Sequence, residues 1–517
     1  MRVLVFHGYL LHGTGSNVYN ANLAAALARG GHEVHLLCQE RAPLELGWVD
    51  AAGDWESGEL ELHVRGERPR VTVYRPDIGG LLPVYVADRY EGVTAKLFAE
   101  LSEAELDSYL RANVAAVAEV AARVRPDVAL ANHLVMGPLV LARSLPGLGV
   151  PYAVKVHGSA LEYTVKRHPR FMPHAREGLA AARAVLVGSR HTAESLWAAM
   201  EDPELPARTR LGPPGVDVHA FGPREPAAAR AGLQELVARL RSAPAGPADD
   251  ASSFARAPAR SAQALAAIEP GADRLCVFVG KLIASKGVEL LLAAWPLVLA
   301  RVPRARLVIV GFGAFEGALG ALAAALAAGE QAEARAIAAA GRGAEGGEPE
   351  ELPALAAFLD AGGAGRPEYR RAAAGLLERV AWAGRLDHDE LAELLPAAEA
   401  IVVPSTFPEA FGMVAAEGAA CGALPVVAGH SGLAEVARAL GAAVPPAARG
   451  WLSFELGPGA VEALADRLVA WLQAPDDLRA QTRRALVGEV RERYSWEGVA
   501  RSVLAAAQGR VGELPCP

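Results

Sequence analysis

Residues 1–38 are MRVLVFHGYLLHGTGSNVYNANLAAALARGGHEVHLLC. The apolar run Val3–Phe6 predicts a buried strand, and a polar, glycine-rich turn follows it. Asn17–Arg29 has the alanine and leucine content of a helix, which two glycines end before a second apolar run at Glu33–Cys38. Strand, helix and strand in this order predict a βαβ unit with parallel strands.

The alternation of strands and helices continues along the chain. Apolar runs at 128–131, 152–156 and 184–187 are separated by helical stretches, and a second βαβ pattern starts at Leu275. Such alternation is typical of parallel sheets with helices on both faces. We therefore predict an α/β fold with two Rossmann-like, doubly wound domains that face each other across a cleft. Ligands of such folds bind at the carboxyl ends of the strands.

Two changes in composition interrupt the pattern. Residues 223–272 are rich in alanine, proline and serine, and residues 313–375 in alanine and glycine, so we predict two insertions, with 313–375 outside any catalytic core. The predicted organisation is an N-terminal Rossmann-like domain, a linker with a low-complexity insertion, a C-terminal Rossmann-like domain, and a C-terminal helix with a tail. Their bounds are 1–215, 216–272, 273–495 and 496–517.

Composition excludes several classes of protein. The chain has 517 residues, 52% hydrophobic and 21% charged, which argues against disorder, and its net charge of −8 argues against nucleic-acid binding. The four cysteines lack CxxC spacing, so we expect neither a disulfide scaffold nor a zinc knuckle. We also expect no signal peptide and no membrane span. The prediction is a cytoplasmic protein with at most peripheral membrane contact.

Two glutamates flank a predicted helix start in AIVVPSTFPEAFGMVAAEGAACG, residues 400–422. Glu409 lies in the loop, and Glu417 follows eight positions later within the helix. Because the first amides of a helix have no intrahelical acceptor, those of Phe411, Gly412 and Met413 can bind an anion or sugar hydroxyls. An exposed loop carboxylate and a solvated helix face are the alternative. The apolar surroundings of Glu417 argue against it, because a buried carboxylate needs a partner.

Lysine is rare in this chain, with five in 517 residues, yet Lys281 and Lys286 share one strand-to-helix loop in FVGKLIASKGVELL, residues 278–291. Ammonium groups beside a helix start suit a diphosphate, because they neutralise the charge that develops on a leaving phosphate. A pair of solvated surface lysines is the alternative.

The turn HGTGSNVY, residues 12–19, places Gly15 ahead of the first helix, where the backbone can approach a phosphate or a sugar. A dinucleotide fingerprint is a weaker interpretation, because Val18 stands where that motif has its third glycine. His157 and His133 each follow an apolar strand at its carboxyl end, so we predict that His157 contacts substrate and keep His133 as a candidate. A structural core histidine is the alternative for both.

These motifs resemble those of the GT-B glycosyltransferases of family 4, which are retaining enzymes that use nucleotide-sugar donors. The resemblance spans most of the chain outside the two insertions and rests on the order of the following pieces: GTGSNVY, ALARGGHEV, KVHGS, AVLVGSRHTAESL, PPGVDVHAF, FVGKLIASKGVELLL, ARLVIVGFG, WAGRLDHDELAELL, PSTFPEAFGMVAAEGAACGALPVVA and YSWEGVA. It implies that residues 1–215 select the acceptor and that residues 273–495 bind the donor.

The resemblance also implies a role for individual residues. Glu409 corresponds to the glutamate that contacts the donor sugar, and Glu417 to the one that holds the ribose hydroxyls. Lys281 and Lys286 correspond to the pair on the diphosphate, although position 281 is more often arginine. His157 corresponds to the histidine on the transferred sugar. Further implied donor contacts are Gly15 near the phosphate and the loop of Phe411, Gly412 and Met413.

The implied reaction is a hexose transfer to a hydroxyl acceptor by same-face substitution, in which the leaving phosphate accepts the acceptor's proton. Because the lysines can take the place of a cation, we predict no metal and no cofactor. A catalytically silent sugar-nucleotide-binding protein or partner subunit is the alternative, whereas an epimerase with this fold lacks support. The acceptor can be a sugar, a sugar phosphate or a lipid-linked sugar. Positional candidates for binding it are Asn132, His133, Tyr163 and Lys166.

Overall fold

The computed structural model describes residues 1–13, 15–85, 94–243, 256–269 and 271–517. Within these residues the chain divides into two compact units. The N-terminal unit consists of Met1–Gly215 and Tyr494–Pro517, and the C-terminal unit of Val216–Arg493.

The N-terminal unit is built on a large, mainly parallel sheet. Its strands are β1 (Arg2–Phe6), β2 (Glu33–Leu37), β3 (Ala51–Asp54), β4 (Glu61–Val64), β5 (Val71–Arg75), β6 (Leu81–Val84), β7 (Thr94–Leu97), β8 (Val128–Asn132), β9 (Tyr152–Lys155), β10 (Ala184–Val187) and β11 (Thr209–Leu211). In the described residues, nine of them form one sheet in the order β11-β10-β9-β8-β1-β2-β5-β3-β4. The pair β3–β4 is antiparallel, and β6 and β7 pair separately.

Helices cover both faces of this sheet. They are α1 (Gly15–Arg29), α2 (Glu103–Val124), α3 (Gly137–Ser144), α4 (Met172–Ala180), α5 (Arg190–Met200) and α6 (Leu205–Arg208). Because successive side chains of a strand point to opposite faces, Leu4 and Phe6 pack in the core that contains α2 and α3, and Val3 and Val5 in the core that contains α1. The N-terminal unit is therefore doubly wound.

The C-terminal unit repeats the design with a smaller sheet. Its strands are β12 (Arg274–Val279), β13 (Ala305–Val310), β14 (Val380–Gly384), β15 (Ala400–Val403), β16 (Leu424–Ala428) and β17 (Ser453–Phe454). In the part of the chain that the structure describes, these six are parallel, in the order β14-β13-β12-β15-β16-β17. Because β12 and β15 are parallel neighbours, the loops after them lie at the same edge of the sheet.

The helices of this unit are α7 (Pro226–Ser242), α8 (Pro258–Ala266), α9 (Val288–Leu299), α10 (Glu316–Ala328), α11 (Gln331–Ala340), α12 (Pro353–Asp360), α13 (Pro367–Ala373), α14 (Leu376–Arg379), α15 (His388–Leu394), α16 (Met413–Ala420), α17 (Ser431–Ala443), α18 (Pro446–Arg449), α19 (Ala460–Leu472) and α20 (Asp476–Arg493). Nearly every residue of α9 is buried. The last helix, α21 (Trp496–Ala507), belongs to the N-terminal unit, where Trp496 packs edge-on against Tyr19 of α1.

Both stretches of biased composition contain ordered helices. Residues 216–272, which the sequence analysis treats as a linker with an insertion, form α7 and α8, and Leu233 and Leu236 of α7 are buried. Residues 244–255 and 270 of that stretch lie outside the described residues. The stretch 313–375 forms α10 to α13, with Leu319 and Phe358 buried. Apolar packing, rather than composition, therefore decides the structure of both stretches.

The predicted α/β class with two parallel-sheet domains is confirmed. None of the described helices combines the length and the apolar content that a membrane crossing requires.

Candidate functional site

The loops that follow β12 and β15 carry the predicted donor-binding residues and lie against each other. After Lys281 the chain forms a short turn at Ala284–Lys286, and Gly287 follows it with φ = +69°. A Cβ atom on Gly287 would lie 2.0 Å from the carbonyl oxygen of Pro404 in the loop after β15, so only glycine permits this approach. The amide of Thr406 also donates to the carbonyl of Ser285 at 3.0 Å.

This packing brings Lys286 and Glu409 together as an ion pair, although 123 positions separate them. Ser405 Oγ donates to the same carboxylate oxygen, Oε1 of Glu409, at 2.8 Å. The Glu409 amide donates to Ser431 Oγ at 2.9 Å. Burial raises the pKa of the Glu409 carboxyl, but Lys286 and Ser405 outweigh it, so the pKa lies below its ordinary value. Glu409 is therefore ionised at neutral pH, with a cation at its side.

Helix α16 begins at Met413, four positions after Glu409, with Phe411 buried and Gly412 at the N-cap. Gly412 has φ = +132°, and a Cβ there would lie 2.7 Å from Leu433 Cδ2. Because Gly412 is the N-cap and Met413 the first residue of the helix, their amides have no acceptor within α16. The predicted anion-binding loop thus lies at the same edge of the sheet as Lys286.

Glu417 lies on α16 and is buried, and it contacts a residue that the sequence analysis did not single out. His388, the first residue of α15, has its Nε2 atom 2.9 Å from Oε1 of Glu417. Burial lowers the pKa of His388, but Glu417 and nearby carboxylates raise it above its ordinary value. The imidazole also packs edge-on against Phe221. A signal was present, since His388 lies within the quoted motif WAGRLDHDELAELL.

The loop that carries Lys286 is also supported by Glu345, from the stretch predicted to be an insertion. Oε1 of Glu345 accepts a hydrogen bond from the Ala284 amide at 2.8 Å. Near it, Glu289 of α9 is 1% exposed, and among the described residues its Oε2 atom has no hydrogen-bond partner. Burial, together with the charge of Glu345, raises the pKa of Glu289 to about 8. The stretch 313–375 therefore contacts the lysine loop.

The N-terminal unit gathers His7, His133 and His157 beside the carboxyl ends of β1, β8 and β9. The ring centroids of His133 and His157 are 4.9 Å apart, and those of His7 and His133 are 5.7 Å apart. His7 and His133 are buried, while His157 is half-buried. Burial lowers the pKa of each, to about 4 for His7 and well below the ordinary value for the other two. The three imidazoles are therefore neutral at pH 7.

The other predicted site residues of this unit differ in burial and in hydrogen bonding. Asn132 is buried and accepts a hydrogen bond from His157 Nε2 at 3.0 Å. His133 has φ = +67°, and neither of its ring nitrogens has a hydrogen-bond partner among the described residues. Gly15 is exposed and is the first residue of α1.

The two remaining acceptor candidates have partners within the N-terminal unit. The exposed Lys166 pairs with Glu162 at 2.6 Å, and the Tyr163 ring contacts the guanidinium of Arg167. Acceptor binding by any of these residues stays a prediction.

In the ranges that the structure describes, no three His, Cys, Asp or Glu side chains form a group that could hold a metal ion. Independence of metal stays a prediction as well.

Two family models match the chain. Residues 14–204 match a glycosyl transferase 4-like domain, and residues 360–486 match glycosyl transferases group 1. Among solved structures, sucrose-phosphate synthase of Thermosynechococcus elongatus has a TM-score of 0.58 and 19% identity, with 99% of each chain covered. HepE of Anabaena in complex with UDP-glucose has a TM-score of 0.54 and 14% identity, over 98% of this chain and 99% of that one.

The trehalose-6-phosphate synthase OtsA has a TM-score of 0.54 and 11% identity, over 98% of this chain and 99% of that chain. No curated protein sequence matches.

Proposed function

Because this chain belongs to the GT4-like glycosyltransferases with the GT-B fold, we propose that it transfers a hexose from a nucleotide-diphosphate sugar to a hydroxyl acceptor with retention of configuration. The observation that carries the proposal is the Lys286–Glu409 pair beside the first turn of α16. This pair places a cation for phosphate and a carboxylate for hydroxyls beside the amides of Gly412 and Met413, which have no acceptor within α16.

The proposed chemistry follows from these groups. Lys281, Lys286 and the amides at 412 and 413 stabilise the charge that develops on the diphosphate as the bond from its oxygen to the sugar breaks. The acceptor oxygen forms the new bond to the sugar on the same face, and its proton passes to the leaving phosphate. Glu409 binds hydroxyls of the donor hexose. No metal is required in this scheme, because the ammonium groups supply the positive charge.

The roles of the remaining predicted donor residues are part of the proposal. Glu417 holds ribose hydroxyls, and the contact between its Oε1 atom and His388 Nε2 fixes the orientation of this buried side chain. His157 contacts the transferred sugar, as the family resemblance implies. We also propose a cytoplasmic location with at most peripheral contact to membranes.

The first donor to test is UDP-glucose, because the similar HepE of Anabaena is described in complex with it. The acceptor is a sugar or a sugar phosphate, the class named for the similar sucrose-phosphate and trehalose-6-phosphate synthases, or a lipid-linked sugar. A silent sugar-nucleotide-binding protein or partner subunit is the alternative function.

A donor panel tests the proposal. The full chain is incubated with UDP-, GDP- and ADP-sugars, and free nucleoside diphosphate is measured with and without candidate acceptors. We expect slow hydrolysis of one donor, accelerated by the true acceptor, with the anomeric configuration of that donor kept in the product. Binding of a donor with neither hydrolysis nor transfer would favour the silent binder, and an inverted product would contradict retention.

Lys286→Ala is the site variant for this assay, and Lys96→Ala is its matched control. Lys96 also forms an ion pair with a glutamate, Glu105, but it lies in β7 of the N-terminal unit. Loss of one anion-stabilising donor costs about 3 kcal/mol, which is roughly a hundredfold in rate. Equal activity of both variants would refute the role of Lys286.

A further inference from the structure

A chain of asparagine side chains connects His7 to His157 beneath the ends of β1 and β8. Asn17 Oδ1 contacts His7 Nε2 at 2.9 Å, and Asn20 Nδ2 contacts His7 Nδ1 at 3.0 Å. Asn20 Oδ1 then accepts from Asn132 Nδ2 at 2.7 Å, and Asn132 Oδ1 contacts His157 Nε2 at 3.0 Å. All three asparagines are buried, at 2% exposure or less, so water does not compete for these contacts.

Three backbone carbonyls fix the orientation of the three asparagine side-chain amides. The Nδ2 atoms of Asn17, Asn20 and Asn132 donate to the carbonyls of His12 at 2.7 Å, Ser16 at 2.8 Å and Phe6 at 3.3 Å, respectively. Because a carbonyl oxygen can only accept, each side-chain nitrogen must face it, and each side-chain oxygen must face the opposite way. A rotated amide would place two acceptors against each other.

The direction of the amides determines where the imidazole protons are. Asn132 Oδ1 can only accept, so His157 must carry a proton on Nε2 to donate to it. Burial, His133 and Lys155 all lower the pKa of His157, so the ring carries no second proton at neutral pH. Nδ1 of His157 is then a hydrogen-bond acceptor.

We propose that Asn132, held in place by Asn20, is the positioning residue that keeps His157 in its neutral Nε2–H form, so that Nδ1 accepts a hydrogen bond from a sugar hydroxyl. Only the identification of the hydroxyl as one of a sugar rests on the proposed function. The proposal makes His157 selective, because a substrate group opposite Nδ1 must donate a hydrogen bond. It is consistent with the burial of the two residues, since Asn132 is buried and His157 only partly so.

The first test is the tautomer of His157 in the unmodified chain. Protein labelled with ¹⁵N-histidine is studied by two-bond ¹H–¹⁵N correlation NMR at pH 7.5, and the His157 resonances are assigned from their loss in His157→Gln. We expect Nε2 at the shift of a protonated nitrogen and Nδ1 at that of an unprotonated one. A proton on Nδ1 would overturn the proposal, and this measurement needs no folded Asn132 variant.

The second test replaces Asn132 by aspartate. In Asn132→Asp one carboxylate oxygen still accepts from His157 Nε2, while the other replaces the nitrogen that donates to Asn20 Oδ1 and to the Phe6 carbonyl. At a pH where this carboxyl is ionised, its charge favours the imidazolium, so we expect Nδ1 to move to the shift of a protonated nitrogen. Asn17→Asp is the matched control, because it adds the same charge at the far end of the asparagine chain. We expect the control to alter His7 and to leave Nδ1 of His157 unprotonated, because a charge on His7 lowers the pKa of His157. No shift of His157 in Asn132→Asp, or an equal shift in both variants, would overturn the proposal.

The third test uses donor sugars that lack one hydroxyl at a time. For the hydroxyl opposite Nδ1, we expect the deoxy donor to bind the parent at least tenfold more weakly than the intact donor. The ratio between the affinities for the intact and the deoxy donor should be at least fivefold smaller in Asn132→Asp, because Nδ1 of His157 no longer accepts a hydrogen bond there. The same ratio in both proteins would overturn the proposal. If no nucleotide sugar binds either protein, the proposed function fails, while the tautomer measurement still tests the role of Asn132.

Discussion

Replacing the buried Glu289 by glutamine is expected to change how the stability of the C-terminal unit depends on pH. The carboxyl is 1% exposed, and burial raises its pKa from 4.5 to about 8. Between these values the folded chain keeps the proton that the unfolded chain has released. Unfolding therefore becomes easier as the pH rises, because the unfolded state binds fewer protons than the folded state.

The size of the effect follows from the two pKa values. Each pH unit between 4.5 and about 8 lowers the free energy of unfolding by about 1.4 kcal/mol. From pH 5 to pH 8 the contribution of Glu289 therefore falls by about 4 kcal/mol. Glutamine has no proton to release, so Glu289→Gln lacks this contribution at every pH. From pH 5 to pH 8 the free energy of unfolding of the variant should therefore rise by about 4 kcal/mol relative to that of the parent, whatever the variant's stability at pH 5.

This difference can be measured for helix α9 itself. The protein is unfolded in urea at pH 5, 6, 7 and 8, and unfolding is followed by hydrogen exchange of the peptides that cover 288–299. Glu333→Gln is the matched control, because Glu333 is an exposed carboxylate on α11 of the same unit. We expect the control to follow the parent at each pH. Parallel pH profiles of Glu289→Gln and the parent, to within about 1 kcal/mol, would refute the reasoning.

Three further predictions concern the C-terminal unit and the proposed reaction. Gly287→Ala should destabilise the C-terminal unit by about 2 kcal/mol or more, because its Cβ would meet the Pro404 carbonyl at a positive φ, and thermal unfolding measures this loss. Glu417→Gln should lower the pKa of His388, seen by NMR titration, and weaken donor binding about tenfold, since a hydrogen bond to a charged group contributes about 1.5–3 kcal/mol. Turnover should persist in a chelator, and a loss that magnesium or manganese restores would contradict metal independence.

Much of the fold could be predicted from local patterns. Apolar runs and glycine stops located strands and helices to within a few residues, as for β10 at Ala184–Val187 and for α1, which ends at Arg29 before two glycines. Helix α7 was missed, although Leu233, Leu236, Val237 and Leu240 have the spacing of one buried helical face. The bias toward alanine and proline around it concealed that periodicity.

The composition of residues 313–375 gives no sign of the contact that this stretch makes with the loop of Lys281 and Lys286. Alanine and glycine dominate this stretch, so it has few polar side chains, but Glu345 within it accepts a hydrogen bond from the Ala284 amide in the loop of Lys281 and Lys286. A hydrogen bond from a backbone amide has no signature in the sequence, because every residue except proline offers the same donor.

The sequence by itself determined the α/β class and supplied Lys286, Glu409 and Glu417 as candidates, because strand and helix periods and rare residue types are local properties. Only the tertiary structure decided which of these side chains meet. Lys286 reaches Glu409 because β12 and β15 are neighbours in the sheet, and His157 is oriented through Asn132 and Asn20 because β8 lies beside β1. Such contacts depend on strand order and on the packing of distant loops, which no local period encodes.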